Sequence, residues 1–373
     1  MAVKVALDVS AVPVRVAGAG RYVVELARRL PLRDQDVTLV TRRDDAERWR
    51  ALTTTTSIAT LVPSRRAERL LYEAWRLGRS DVARDVDVWH SPHYTMPHRC
   101  AAPTIVTIHD MTMFTNPEWH ERSKVAFFRR AISYSATHAN ALICVSEFTA
   151  RQLDTIIPRH APIVVAPLGV DLTTFSPDAS GDEDLFLRHG LPFDVPYVFF
   201  LGTVEPRKGL DVLLEAFAQL SRDDNVTELW IAGQAGWAMK GFDQALARNP
   251  GTARIRRLGF VDEALVAPLL RRASVVAYPS RGEGFGLPVL EALACGALVV
   301  TTSDTVMAET GADAVLLAPP GNADALAQQL DVALGLDQAQ RAQHSLVARE
   351  RASAFTWDEM VSRHLSAYET AKG

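Results

Sequence analysis

Short apolar runs alternate along this chain with longer stretches whose apolar positions recur every three or four residues. VKVALDV (3–9), DVTLVT (36–41), DVWHS (87–91), TIVTIHD (104–110), ALICVS (141–146) and IVVAP (163–167) have the length and β-branched content of strands buried on both faces. Between them, RYVVELARRL (21–30), the polar stretch 64–79 and the segment near 121–139 carry the helical period. Strands separated by helices predict parallel βαβ units.

The stretch 171–195 interrupts this pattern. It is rich in Asp, Ser, Pro and Gly, has no long apolar period, and reads as a connection between domains. The alternation then restarts. YVFFLGT (197–203), ELWIAG (228–233), ARIRRLGFV (253–261), VVAYPS (275–280) and LVVTT (298–302) read as strands. Helices are expected at 209–220, around 262–273, from Pro288 to Ala294, at 322–335, at 337–354 and over the final TWDEMVSRHLSAYETA. The predicted fold class is α/β, with two doubly wound halves. Ligands of such sheets bind beyond the C-terminal ends of the strands, so two facing halves would hold one ligand in a cleft.

Composition narrows the function classes. The chain has 373 residues, 48% of them apolar and 23% charged, as in a soluble globular protein. A net charge of −4 gives no pull toward nucleic acid. Cys100, Cys144 and Cys295 lack metal-like spacing, which fits a reducing compartment. No run reaches the ~20 apolar residues of a membrane span, and MAVKVALDVSAVPVRV reads as a strand rather than a signal peptide. A cytoplasmic protein is expected. SRRAERLLYEAWRLGR (64–79) carries five arginines beside Leu70, Leu71, Trp75 and Leu77. It reads either as a helix lying on an anionic membrane or as a solvated helix with snorkelling arginines.

Polar residues collect where strands end. Gly18 and Gly20 in VRVAGAGRY (14–22) precede a helix but fall short of a full G-x-G-x-x-G. His109 follows TIVTI, as a structural hydrogen bonder or as a contact to a sugar hydroxyl or phosphate. In EPRKG (205–209), Arg207 and Lys208 adjoin a helix expected to begin at Gly209, where cations oppose the helix dipole. A bound diphosphate would offset that conflict; solvated loop charges are the plainer reading. In RGEGFGLPVLEALACG (281–296), glycines lead into a helix whose N-terminus favours anions, with Glu283 in the loop and Glu291 expected in the first turn. His90, His93 and His98 are spaced as turn residues rather than as metal ligands, and no metal site is expected.

In order, HSPHYTMP, TIHD, VSEFTA, PLGVD, LGTVEPRKG, PSRGEGFGLPVLEALACG and Glu309 resemble the retaining glycosyltransferases of family 4, from residue 3 to about 320. The resemblance implies a GT-B fold: an acceptor-side domain at 1–175, a nucleotide-sugar domain at 176–355, and a final helix at 356–373 crossing back to the first domain. It implies that Lys208 holds a diphosphate, Glu291 binds ribose hydroxyls and Glu283 lies near the donor sugar. Phe285, Gly286 and Leu287 would line the donor site, His109 would contact the transferred sugar, and Gly18 and Gly20 would admit the phosphates. No cofactor is implied beyond the nucleoside-diphosphate sugar that serves as substrate, and no metal. The first expectation is hexose transfer, with mannose from GDP-mannose, to a glycan, lipid-linked or small-molecule acceptor at or near the inner membrane face. Thr203 departs from the family, which often has Arg there; either Arg207 substitutes or the diphosphate meets one cation fewer. UDP-sugar transfer, a GT-B epimerase and a non-catalytic sugar-nucleotide-binding protein stay open. A phosphorylase lacks its pyridoxal lysine segment here, and a nicotinamide dehydrogenase lacks its glycine fingerprint.

Overall fold

The computed structural model describes residues 2–14, 16, 18–53, 57–220, 227–234, 246 and 254–373. The chain forms two compact units. The first comprises Met1–Gly169 and Thr356–Gly373, and the second Val170–Phe355. The first therefore ends at Gly169 rather than at residue 175.

The first unit is built on a parallel sheet of β1 (Lys4–Asp8), β2 (Asp36–Arg42), β3 (Ser57–Val62), β4 (Val88–Ser91), β5 (Thr104–Ile108), β6 (Ala141–Cys144) and β7 (Ile163–Val165), in the order β3-β2-β1-β4-β5-β6-β7. β4, β5 and β6 are buried along their whole length, as their unbroken apolar runs require. The order turns back between β1 and β4, so the switch point of this sheet lies beyond Asp8 and Ser91.

The helix Trp357–Lys372 belongs to this unit, although the chain reaches it only after completing the second. The Thr356 side chain caps it by accepting from the Glu359 N–H. Trp357, Met360, Val361, His364, Ala367, Tyr368 and Ala371 form its buried face. Each large apolar side chain contributes about 1.5–3 kcal/mol of burial there. A side chain at Gly169 would place its Cβ 2.1 Å from the Trp357 nitrogen, so glycine is required where the chain segments meet.

In the second unit β8 (Tyr197–Leu201), β9 (Glu228–Ala232), β10 (Ile255–Gly259), β11 (Val275–Tyr278), β12 (Val299–Thr302) and β13 (Leu316–Ala318) form a parallel sheet in the order β10-β9-β8-β11-β12-β13. Its switch point lies between β8 and β11. Residue 253, placed in a strand by the sequence, lies outside the described residues.

The expected connection at 171–195 is corrected in part. It contains the helix Asp182–Arg188 and belongs to the second unit. Phe186 is fully buried, edge-on to Phe193. Asp182 is buried and receives both Nε and Nη2 of Arg271, at 2.9 and 2.7 Å. A short acidic helix held by one aromatic and one buried ion pair has no apolar period to show in the sequence. The short strands β3 and β13 were also missed. Each is only partly buried and pairs along one side of its sheet.

Candidate active site

Two loops meet beyond the switch point of the second sheet. The first leaves β8, runs through a 3₁₀ turn at Pro206–Lys208, and reaches Gly209 with φ 68° before the helix Leu210–Gln219. The helix thus starts one residue later than expected. A Cβ on Gly209 would lie 2.1 Å from the Pro279 carbonyl oxygen, so glycine lets this loop press against the loop that leaves β11. The Arg281 N–H donates to the Arg207 carbonyl at 2.8 Å and closes the contact.

This zipping gathers a charged cluster. Lys208 Nζ donates to the Tyr278 hydroxyl at 2.7 Å and to Glu283 Oε1 at 2.5 Å. Arg207 Nη1 donates to Glu283 Oε2 at 2.5 Å and to the Gly282 carbonyl at 2.8 Å. Ser280 adds a hydroxyl donor to Glu283 Oε1 at 2.9 Å. Burial alone would raise the Glu283 carboxyl, but Lys208 and Arg207 outweigh it and hold it at about 2. Burial pulls the Lys208 ammonium below its ordinary value; Glu283 opposes that pull and Arg207 adds to it. The cations at this helix start are thus balanced by a carboxylate. Arg207 provides a second cation beside Lys208, while Thr203 is only partly buried in the same loop.

The loop after Glu283 enters the helix Leu287–Ala294. Gly286, with φ 94°, is its N-cap; no side chain caps it, and Pro288 sits in its first turn. The left-handed backbone at Gly286 is the reason for glycine. Thr310 Oγ1 donates to the Phe285 carbonyl at 2.6 Å and fixes the approach. Phe285 and Leu287 are buried. Glu291 is 5% exposed and is the fifth helical residue. It therefore lies in the second turn, not the first, because the helix starts at Leu287.

The remaining expected residues belong to the first unit. His109 follows β5 and is buried. Its Nε2–H donates to the Pro92 carbonyl at 2.8 Å, which leaves Nδ1 as the acceptor of a neutral ring. Burial lowers its pKa. Tyr22 and Tyr94 stand edge-on to its ring, with centroids 5.2 and 5.9 Å away. Gly18, with φ 49°, caps the helix Ala19–Arg29, and Gly20 lies in that helix. A Cβ at Gly18 would meet nothing within 4 Å, so the backbone angle, not crowding, favours glycine there. Residues 15 and 17 of that loop lie outside the described residues.

Among the described residues, no group of His, Cys, Asp and Glu is placed to hold a metal ion. His90 is engaged by Thr107 and Tyr368, and His98 packs between Trp75 and Tyr134. Burial pushes the Cys144 and Cys295 thiols up to about 12. Sequence reasoning missed Tyr278 and Ser280, which close the cluster around Glu283. It also missed Asp8, whose signal was a charge at the end of an apolar strand.

A switch-point loop bearing paired cations beside an uncapped helix start, in the second of two parallel-sheet Rossmann-like units, defines a glycosyltransferase of the GT-B class. The model for Glycosyl transferases group 1 matches residues 182–351, and that for Glycosyltransferase Family 4 matches residues 16–174. The chain belongs to glycosyltransferase family 4. It is 27% identical to O-antigen chain mannosyltransferase B of Escherichia coli, over 95% of this chain and 96% of that protein. It is 31% identical to a D-inositol 3-phosphate glycosyltransferase of Actinosynnema mirum, over 77% of this chain and 73% of that protein. HepE of Anabaena, solved in complex with UDP-glucose, shares the fold at TM-score 0.77 and 18% identity, covering 99% of this chain and all of that one (100%).

Proposed function

We propose that this glycosyltransferase moves mannose from GDP-mannose to a sugar-bearing acceptor, with retention at the anomeric carbon and without a metal ion. The observation that carries the transfer reading is the pairing of Arg207 and Lys208 beside the Gly286 helix start, all at one switch point. As the C1–O bond of the donor breaks, negative charge grows on the departing diphosphate. Preorganised cations and helix amides stabilise that charge without reorganising. Glu283 keeps both cations positioned through its four donors, Lys208, Arg207, Ser280 and Tyr278. In this reading Glu291 takes the ribose hydroxyls, and Phe285, Gly286 and Leu287 line the donor site. Gly18 and Gly20 admit the phosphates, and His109 accepts from a hydroxyl of the transferred sugar through Nδ1. The leaving phosphate itself takes the acceptor proton.

Mannose is favoured by the similarity to the O-antigen mannosyltransferase; a UDP-sugar donor is the alternative, favoured by the UDP-glucose complex of HepE. Thermal shift with GDP, GDP-mannose, UDP and UDP-glucose, followed by product analysis with and without acceptor, tests the reading. Stabilisation by GDP-mannose over UDP-glucose and product only with acceptor are expected. Product from donor alone would indicate epimerisation or hydrolysis, and binding without any product a non-catalytic protein.

Among the described residues, no helix is long and apolar enough to cross a membrane. We propose a cytoplasmic protein that touches a membrane surface through the helix Arg66–Trp75. Leu71 and Trp75 are 65% and 60% exposed there, beside the exposed Arg65 and Arg66. Arg69 does not join that face; it lies 3.8 Å from the buried Glu73.

A further inference from the structure

The first sheet has a switch point of its own, and a buried polar cluster occupies it. β1 ends at Asp8, its neighbour β4 ends at Ser91, and the chain beyond them supplies Ser10, His93 and Thr95. Crevices beyond such strand ends are where open parallel sheets bind ligands. Asp8, Ser10 and Glu73 are 5%, 1% and 4% exposed. Asp8 Oδ1 accepts the Ser10 N–H at 3.0 Å. Glu73 accepts from Thr95 Oγ1 at 2.5 Å, and Arg69, one helical turn earlier, stands 3.8 Å away.

Two polar atoms here are buried without a partner: Ser10 Oγ and His93 Nε2. Native interiors rarely leave such atoms unpaired, and a ligand that bonds them is the usual reason. Ser10 stands beside the Asp8 carboxylate, and the His93 ring lies 6.0 Å from that of His109. Burial, reinforced by the charge on Asp8, pushes Glu73 up to about 7. Burial, reinforced by His109 and Arg69, lowers His93 to about 3, so its ring is neutral at pH 7.

The charges select the ligand. A phosphate would face two acids, with Arg69 already committed to Glu73. Hydroxyl groups match the same atoms: carboxylate oxygens accept from them, and a serine hydroxyl and a neutral imidazole can each pair with one. We infer that Asp8, Ser10, Glu73 and His93 form a binding site for an uncharged polyol, the hydroxyl-bearing sugar ring of the acceptor. The assignment rests on the transfer reading above and narrows its acceptor to a neutral sugar at this site.

Saturation-transfer NMR with methyl α-D-mannopyranoside, myo-inositol and mannose 6-phosphate, with GDP or UDP present, tests the site. Thermal shift with the same nucleotides reads the donor side separately. A neutral polyol should bind the wild-type protein, and at least one of the two should outcompete the phosphorylated sugar. Ser10→Ala and Glu73→Gln should weaken that binding tenfold or more and leave the nucleotide shift unchanged. If Glu73→Gln fails to fold, Ser10→Ala, which only deletes a hydroxyl, decides alone. Nucleotide binding with no neutral polyol bound, preference for the phosphate, or undiminished polyol binding by Ser10→Ala would overturn the site. Polyol binding without any nucleotide shift would leave the site standing and remove the transfer reading.

Discussion

The Tyr22 hydroxyl lies 2.6 Å from Nε2 of His364, across a sequence separation of 342 residues. His364 Nδ1 is 2.7 Å from the Met360 carbonyl, which can only accept. In the neutral ring Nδ1 therefore carries the proton and Nε2 accepts from Tyr22. The direction then propagates. Thr107 donates to the Tyr22 oxygen at 2.8 Å, His90 Nε2 donates to Thr107 at 2.8 Å, and Tyr368 donates to His90 Nδ1 at 3.0 Å. This relay joins the first helix, the strands β4 and β5, and the final helix, all in fully buried positions. Tyr22→Phe removes its central hydroxyl and leaves buried partners unpaired. A loss of about 1–3 kcal/mol is expected, read as a lower urea midpoint at unchanged m-value.

Acid should weaken the same unit. Burial lowers His364 from 6.5 to about 4 and His93 from 6.5 to about 3. The unfolded chain takes up these protons first as pH falls. Stability is therefore full above pH 6.5 and declines below it, by about 1.4 kcal/mol per imidazole per pH unit, until each folded pKa is reached. Glu283, held at about 2 against 4.5, adds a second loss in the other unit between those values. Urea titrations at pH 7, 6 and 5 should show the first window. A flat profile from pH 7 to 5 would contradict neutral buried histidines.

Lys208→Ala should lower kcat by about 10²–10³-fold if it stabilises the departing diphosphate, with a smaller change in donor KM. Glu291→Ala should instead raise the donor KM with kcat nearly kept. Unchanged kinetics in both would overturn these roles. Activity should survive EDTA, and its loss with recovery on adding Mg²⁺ would show that protein cations alone do not carry the charge.

Vesicles containing anionic lipid should retain the protein at low salt and release it at high salt, since exposed basic side chains are screened within about 10 Å at 0.1 M. Replacing Leu71 and Trp75 by Ser should abolish retention and leave the folding transition in place. Equal retention by neutral vesicles would remove the electrostatic part of the docking.

Much of the fold was legible because buried parallel strands advertise themselves: TIVTI and VVAY are apolar on both faces, and both are strands. β3 (SIATLV) was not legible, since a strand at the side of a sheet mixes exposed and buried positions. The basic loop and the glycine-rich turn were legible as neighbours of helix starts. The grip of Glu283 on both cations was not, because it depends on Gly209 and Pro279 meeting across the sheet. Glu73 misled for a related reason. In a helix crowded with arginines it reads as one more solvated charge, and only the strand ends beneath it turn it inward.

The second unit is, in chain order, an insertion within the first. A ribosome completes the whole of the second sheet before it makes Trp357, and only then can the first unit cover its remaining apolar face. Half of this molecule thus waits for the other half to be synthesised. A nonsense mutation anywhere after residue 355 would spare the second unit and cripple the first.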